Sequence, residues 1–212
     1  MTIQTPTSQT GSGVIVDLGE TDDCLVNADI KLESTTSEAI IGTGSNQNVE
    51  VHGIVKGNNA IQLGNNLNLD FGMTVDLGTS GRVYAANIGV CFFGNQAALT
   101  NDGLIASDNV GALFSGANQT TRSIFHNTGS VFGKYGIYSE GSAETIVLKN
   151  TGIIDGSLYS YDAVSFVNDS GTDIIRNHGT MVGDIRLHTG DDTYDADSEI
   201  EPDGIPIKNR TA

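Results

Sequence analysis

Residues 125–133 (Phe-His-Asn-Thr-Gly-Ser-Val-Phe-Gly) and residues 148–156 (Leu-Lys-Asn-Thr-Gly-Ile-Ile-Asp-Gly) share one pattern, an Asn-x-Gly motif set between apolar residues. The motif occurs four times, at intervals of 26, 23 and 27 residues, and begins at Asn101, Asn127, Asn150 and Asn177. Val51-His52-Gly53 fits the same register, 50 residues or two repeats before Asn101. A nearly constant interval of this length indicates a solenoid in which each repeat forms one coil.

Apolar residues occupy fixed positions on both sides of the motif. Two positions before it lie Val49, Leu99, Phe125, Leu148 and Ile175, and four positions after it lie Val55, Ile105, Val131, Ile154 and Met181. This arrangement has the period of two that a β-strand requires. We therefore predict an all-β, single-domain parallel β-helix with coils of about 23–27 residues. Both apolar columns should face inward, and asparagines of neighbouring coils should hydrogen-bond to one another.

Glycines recur four residues after the glycine of the motif, at Gly57, Gly133, Gly156 and Gly183. We predict that they form sharp corners, where φ is positive and a side chain would clash. Stepping 24 residues back from Val51 predicts an earlier coil at Asn27. The solenoid should span residues 14–197, with an N-terminal tail or cap at 1–13 and a C-terminal tail at 198–212.

The composition agrees with an all-β chain. Among its 212 residues are 27 glycines, 3 prolines and no tryptophan, and short apolar segments are punctuated by Gly and Asn. The competing architecture is an antiparallel sandwich. It would show hairpin turns about every 8–12 residues and would lack a repeat of greater length. Cys24 and Cys91 lack CxxC spacing and are interpreted as small core residues.

The chain is strongly acidic, with 10 Lys and Arg against 26 Asp and Glu and a formal net charge of −16. Such a surface repels nucleic acid and anionic lipid headgroups. No apolar run is long enough for a membrane span, so no membrane insertion is expected, and the first residues do not form a cleavable signal peptide. An acidic surface fits a secreted protein, or one that meets divalent cations.

Two related acidic segments lie near the ends of the repeat region, at residues 16–25 (Val-Asp-Leu-Gly-Glu-Thr-Asp-Asp-Cys-Leu) and residues 185–195 (Ile-Arg-Leu-His-Thr-Gly-Asp-Asp-Thr-Tyr-Asp). They resemble the DLGxGDDxh segments of repeats-in-toxin proteins and related β-helical surface proteins, including autotransporter-like ones, of Gram-negative bacteria. The resemblance implies an extracellular or cell-surface location, export through a type I secretion channel, and calcium bound between coils. It covers residues 14–197, although each segment is only about ten residues long.

The calcium nonapeptide GGxGxDxUx must recur in tandem, because each ion is held by two neighbouring turns. Only Gly190-x-Asp192-x-Tyr194 comes close, which excludes a full calcium ladder. A single calcium site formed by Asp191, Asp192 and Asp195 remains open. The alternative is a Gly-Asp-Asp turn in which short acidic side chains bond to the local backbone.

Three functions remain open on the sequence alone. The first is a structural or adhesion-type solenoid that self-associates through its coil ends, where strand edges are unpaired, and that contacts polysaccharide or a cell surface. The second is one β-helical segment of a larger secreted protein. The third is a polysaccharide-active lyase, hydrolase or epimerase. Acidic residues lie in adjacent coils at Asp155, Asp162, Asp169, Asp173 and Asp184, but none is expected to share a column with another in the next coil.

Aromatic residues offer one further candidate site, a patch on which sugar rings could stack. The candidates are Phe92, Phe93, Phe132, Tyr135, Tyr138, Tyr159 and Tyr161. Because so few aromatics serve the whole chain, we expect most of them to pack in the core or the caps.

Overall fold

A computed structural model describes residues 2–65, 69–116, 121–140, 144–157, 162–167 and 171–196. Within these residues the strands form two sheets, and each strand pairs in parallel with strands of the neighbouring coils. The predicted all-β parallel β-helix is thereby confirmed. The segment 198–212 lies outside the described residues. The segment 1–13 contains two short strands that pair with the next coil.

The first sheet contains nine strands stacked in chain order. They are β1 (Ile3–Gln4), β4 (Asp23–Val26), β7 (Asn48–Val51), β9 (Thr74–Leu77), β11 (Ala98–Asn101), β14 (Arg122–Asn127), β17 (Thr145–Asn150), β20 (Ile174–Asn177) and β23 (Thr193–Ala196).

The second sheet has two limbs, which are joined where β8 (Ile54–Leu63) and β10 (Arg82–Phe93) run through both. The first limb also contains β2 (Gln9–Gly11), β5 (Lys31–Ser34), β12 (Leu104–Ser107), β15 (Ser130–Phe132), β18 (Ile153–Asp155) and β21 (Thr180–Val182). The second limb also contains β3 (Val16–Leu18), β6 (Ile40–Gly42), β13 (Val110–Ser115), β16 (Tyr135–Glu140), β19 (Asp162–Val167) and β22 (Asp184–Leu187). A register shift between Ala85 and Ile88 marks the bend between the limbs.

The strand registers fix the length of each coil. From Cys24 to Ile175 successive partners in the first sheet are 23 to 27 residues apart, as predicted. The terminal steps are shorter, 20 residues from Gln4 to Cys24 (24 − 4) and 19 from Ile175 to Tyr194 (194 − 175). The prediction of a coil at Asn27 was wrong by one residue, because Val51 pairs with Val26.

The two predicted apolar columns face the core. All their members are buried except Met181, which is partly buried against the core at the C-terminal end. Phe92, Phe114 and Phe125 add an aromatic cluster, with the first two rings stacked at a centroid distance of 5.2 Å. This continuous apolar interior is the main source of stability, because each coil buries its inward side chains against its neighbours.

The predicted asparagine ladder is confirmed. The side-chain Nδ2 of Asn101 donates to Oδ1 of Asn127, Asn127 donates to Asn150, and Asn150 donates to Asn177, each at 2.7 Å. The same column holds Val51 and Leu77 in the two preceding coils. The ladder therefore starts where this column changes from apolar residues to asparagine.

The expected role of the corner glycines is only partly right. Among the four, Gly183 has a positive φ, of 118°, whereas Gly57, Gly133 and Gly156 do not. Steric space explains these three, because a Cβ at Gly133 would lie 2.5 Å from the carbonyl oxygen of Tyr135. The corner therefore requires a small residue at these positions and does not require the left-handed region.

Both cysteines are free and buried, as expected for small core residues. Burial raises the pKa of the Cys24 thiol to about 12. Burial also raises the pKa of Cys91, with a smaller contribution from the negative charge of Glu38. Both thiols are therefore protonated and poor nucleophiles at neutral pH.

Candidate functional site

The two acidic segments occupy equivalent positions in the solenoid. The registers of the first sheet place Asp22 and Asp192 in one column, at the corner before the first-sheet strand. Oδ1 of Asp22 accepts the backbone N–H of Thr2 at 3.2 Å, and Oδ1 of Asp192 accepts that of Asp173 at 2.9 Å. Both donors lie in the preceding coil, so each carboxylate satisfies a backbone group at the corner.

This capping role recurs along the same column. Oδ1 of Asp173 accepts the N–H of Ile146 at 2.7 Å, and Oγ of Ser123 accepts the N–H of Ala97 at 2.9 Å. Ser123 Oγ also donates to Oε2 of the buried Glu144. A short polar side chain at the corner therefore has a structural use that needs no metal ion.

The three predicted calcium ligands lie near the end of the described chain, two in the turn before β23 and one on β23 itself. Asp191 and Asp195 are exposed, Asp195 on β23 beside Arg176 of β20, whereas Asp192 is half-buried and bonded to the backbone of Asp173. In the described parts of the chain, no group of three or more His, Cys, Asp or Glu side chains has a geometry suited to holding a metal ion. Calcium binding by these aspartates remains a sequence-based prediction.

The expectation that no two acids share a column in successive coils was wrong. Asp162 and Asp184 are register partners, and Asp173 precedes Ile174, whose partner is Thr193, so that Asp173 lies beside Asp192. Arg186 joins the first pair, with Nε 3.0 Å from Oδ1 of Asp162 and Nη2 3.3 Å from Oδ2 of Asp184. The guanidinium of Arg186 is always charged, so it forms an ion-pair network with the carboxylates of Asp162 and Asp184.

A groove runs along the outside of the bend between the two limbs of the second sheet, with a volume of about 820 Å³. Its lining comes from five successive coils, beginning at residues 33–36 and ending at Phe132. Four steps between coils at about 4.8 Å make the groove roughly 19 Å long. It is therefore an elongated cleft parallel to the solenoid axis.

Small residues create the groove, and two aromatic residues line it. Gly57, Ala85, Ala86, Ala106 and Ser107 leave space at the bend. Tyr84 and Phe132 lie in one outward column, with Ala106 between them. Coil spacing therefore sets the two aromatic residues about 10 Å apart along the axis. Tyr84 is 37% exposed.

Charges at the N-terminal end of the groove are paired. Glu33 lies between two lysines, with Oε2 2.6 Å from Nζ of Lys31 and Oε1 2.8 Å from Nζ of Lys56. The hydrogen bond from Lys31, followed by that from Lys56, lowers the pKa of Glu33 from 4.5 to about 2. Glu33 in turn raises the pKa of Lys56. Glu33 and Lys56 are therefore both ionised at neutral pH, and the negative charge of Glu33 is shared between two lysines.

A second asparagine ladder fixes the bend beside the groove. Nδ2 of Asn87 donates to Oδ1 of Asn59, and Nδ2 of Asn109 donates to Oδ1 of Asn87, both at 3.0 Å. Asn59 continues the chain by donating to Glu38. These bonds hold the three coils that form the middle of the groove in one register.

The predicted aromatic residues divide among the core, a second apolar cluster and the groove. Phe92 is in the core, whereas Phe93, Tyr135 and Tyr138 pack in the second cluster against Cys91, Val110 and Leu113, with the two tyrosine ring centroids 5.1 Å apart. Of the predicted set, Phe132 lines the groove, while Tyr159 and Tyr161 lie outside the described residues. Tyr84, which sequence reasoning missed, is identified as a groove residue only by its register with Ala106 and Phe132.

No family model, curated protein or solved structure matches the chain. The resemblance to repeats-in-toxin and autotransporter-like proteins therefore rests on the two acidic segments alone. Among the residues that the structure describes, no helix is long and apolar enough to cross a membrane.

Proposed function

We propose that the chain is a structural, adhesion-type solenoid of the extracellular space or cell surface, and that copies associate end to end. The observation that carries the proposal is the incomplete burial of the last described coil. Met181, Ile185 and Leu187 are only partly buried against the core. Their counterparts one coil earlier, Ile154, Val164 and Phe166, are at most 1% exposed.

The strand edges support the same proposal. Within the described residues, β21, β22 and β23 each pair with one strand, which leaves one edge of each without a described partner. Parallel strands expose N–H and C=O groups at such an edge, and another chain can pair with them. The first coil of a second copy, which begins at β1, would continue both the hydrogen-bonded ladder and the apolar column.

Charge determines the conditions for this association. Two chains that each carry a formal charge of −16 repel one another. We therefore include calcium in the proposal, bound near Asp191, Asp192 and Asp195 at the junction, where it would reduce the repulsion. The acidic surface and the repeats-in-toxin resemblance support the extracellular location.

Sedimentation velocity, with calcium or with a chelator, tests the proposal. We expect the sedimentation coefficient to rise with protein concentration when calcium is present. Tyr194→Lys should abolish the rise, because Tyr194 continues the inward column in the last described coil and its surface, 38% exposed, would be covered.

Ile124→Lys is the matched control for that variant. Ile124 is also 38% exposed, but it lies on β14 in the middle of the rod, so this variant should associate normally. A wild-type chain that stays monomeric at all concentrations, with and without calcium, contradicts the proposal. The same edges are compatible with a β-helical segment of a larger protein, in which further coils would cover them.

A further inference from the structure

We propose that the groove outside the bend binds an extended, uncharged polysaccharide that lies parallel to the solenoid axis. This inference names a partner for the proposed adhesive function and rests on it, although the binding test does not depend on end-to-end association. The groove crosses five coils and is open along its length, so it suits a polymer better than a compact ligand.

The aromatic spacing supports a glycan. Tyr84 and Phe132 lie in one column two coils apart, with the small Ala106 between them. Sugar rings have an apolar C–H face that packs on aromatic rings. A separation of about 10 Å along the axis is comparable with the disaccharide repeat of an extended β-linked chain. Such a chain presents the same ring face to both aromatic residues.

Polar groups around the aromatic residues fit sugar hydroxyls. Ser34, Thr35, Thr36, Asn58 and Ser107 line the same groove. Hydroxyl and amide side chains can both donate and accept, as sugar hydroxyls do. The groove therefore combines stacking surfaces with hydrogen-bonding groups, the combination that orients a small polar ligand in an otherwise apolar site.

The charge distribution favours an uncharged glycan. In a chain with a net charge of −16, the carboxylate of Glu33 in the groove is paired with Lys31 and Lys56. An anionic polysaccharide would meet the acidic surface and Asp108 of the lining, and it would have to compete with Glu33 for the lysines.

An extended peptide fits the groove less well. Peptides that add to a sheet pair with the backbone at an edge strand. The groove instead lies against a sheet face, where Lys56, Tyr84 and Ala106 are in ladders with both neighbouring coils. Their backbone groups are already paired, so binding must come from side chains.

Affinity electrophoresis in native gels tests the inference, with hydroxyethyl cellulose, barley mixed-linkage β-glucan and galactomannan as neutral probes and alginate and polygalacturonate as acidic ones. We expect retardation by at least one neutral glycan, with little dependence on added salt. Calorimetry with oligosaccharides of that glycan should then give a Kd that rises roughly ten-fold or more in Tyr84→Ala and in Phe132→Ala.

Two variants control for folding and for non-specific contact. Tyr84→Phe keeps the ring and should keep most of the affinity. Ile124→Ala removes a large apolar side chain of nearly equal exposure outside the groove, 38% against 37%, and should bind like the wild type. Absence of binding to every neutral glycan, preference for the acidic glycans, or unchanged affinity in folded Tyr84→Ala would each overturn the inference. Such a result leaves the sedimentation test of end-to-end association unaffected.

Discussion

At the residue scale, Asn127 lies in the middle of the first asparagine ladder. It accepts from Asn101 and donates to Asn150, and it is 1% exposed. Asn127→Leu removes both ladder bonds and the bond from Nδ2 to the Ile153 carbonyl oxygen, and it leaves one buried N–H of Asn101 and Oδ1 of Asn150 without their ladder partners. Each such group costs about 1–3 kcal/mol, so we expect the free energy of unfolding to fall by about 2–6 kcal/mol. Urea unfolding followed by circular dichroism measures the change.

Two further variants separate the ladder from simple packing. Asn177→Leu should cost less, because Asn177 is half-buried at the ladder's end. Replacing all four ladder asparagines by leucine should cost less per site than Asn127→Leu, since apolar pairs leave no unsatisfied partner and Leu77 already occupies this column. An equal cost per site would show that the bonds contribute little.

Glu33 gives the clearest pH dependence at this scale. Its pKa is lowered to about 2 in the folded chain, against an ordinary value of 4.5. A lowered carboxyl pKa stabilises the fold above the unfolded value, and the stabilisation is lost as the pH falls through the folded pKa. We therefore expect Glu33 to contribute fully above pH 4.5, progressively less below it, and nothing below about pH 2.

Carboxyl ¹³C chemical shifts, followed by NMR over a pH titration, measure this pKa directly. Lys56→Met removes one of the two hydrogen-bonding cations and should move the pKa of Glu33 back toward 4.5. Glu33→Gln should remove its share of the acid dependence of the thermal midpoint. Titration of wild-type Glu33 at an ordinary glutamate pKa would contradict the observed pairing.

At the scale of the strand, Gly111 in β13 shows how tightly the second limb packs. A Cβ at this position would lie 2.5 Å from Cγ1 of Val131 and from the carbonyl oxygen of Gly136. Gly111→Ala should therefore lower the free energy of unfolding by about 1–3 kcal/mol, the usual cost of overpacking. Thermal and urea denaturation check this value.

Gly11→Ala is the control at the same scale. Gly11 lies in β2, and a Cβ there would meet only Cδ1 of Ile15, at the ordinary contact distance of 3.4 Å. Its effect should stay within about 0.5 kcal/mol. A similar loss for both variants would mean that strand glycines matter through backbone entropy and that the close approach at Gly111 is unimportant.

The elements also show what the sequence could predict. The inward columns and the ladder that begins at Asn101 were predictable. The apolar residues keep the same positions relative to the Asn-x-Gly motif in all four coils that contain it. The second ladder was not, since Asn59, Asn87 and Asn109 are 28 and 22 residues apart and lack a shared flanking motif. Variable corner segments shift that register independently of the first sheet.

The candidate groove was still less predictable. Tyr84 and Phe132 share one column, two coils apart, because Ala106 between them pairs with both. Their proximity depends on the length of every intervening turn, which no local pattern specifies. The acidic segments were visible in the sequence, but the bond from the Asp173 N–H to Asp192 depends on the preceding coil.

At the scale of the whole molecule, the apolar interior and the parallel strand pairing of both sheets continue to the last described coil. The side of the rod carries the groove, and in the described residues its last coil leaves the column partly exposed and one edge each of β21, β22 and β23 without a strand partner. The proposed glycan binding and the proposed end-to-end association therefore use different surfaces. A rod of this kind could bind polymer along its side while it is joined to other copies at its ends.

The central claim, association in register through the coil ends, is tested most directly by electron cryomicroscopy of the wild-type chain assembled with calcium. We expect filaments with layers about 4.8 Å apart along the axis. The nine layers that the described residues form in the first sheet give an axial repeat of roughly 43 Å per copy. Rods that remain single, or that pair side by side with free ends, would contradict it.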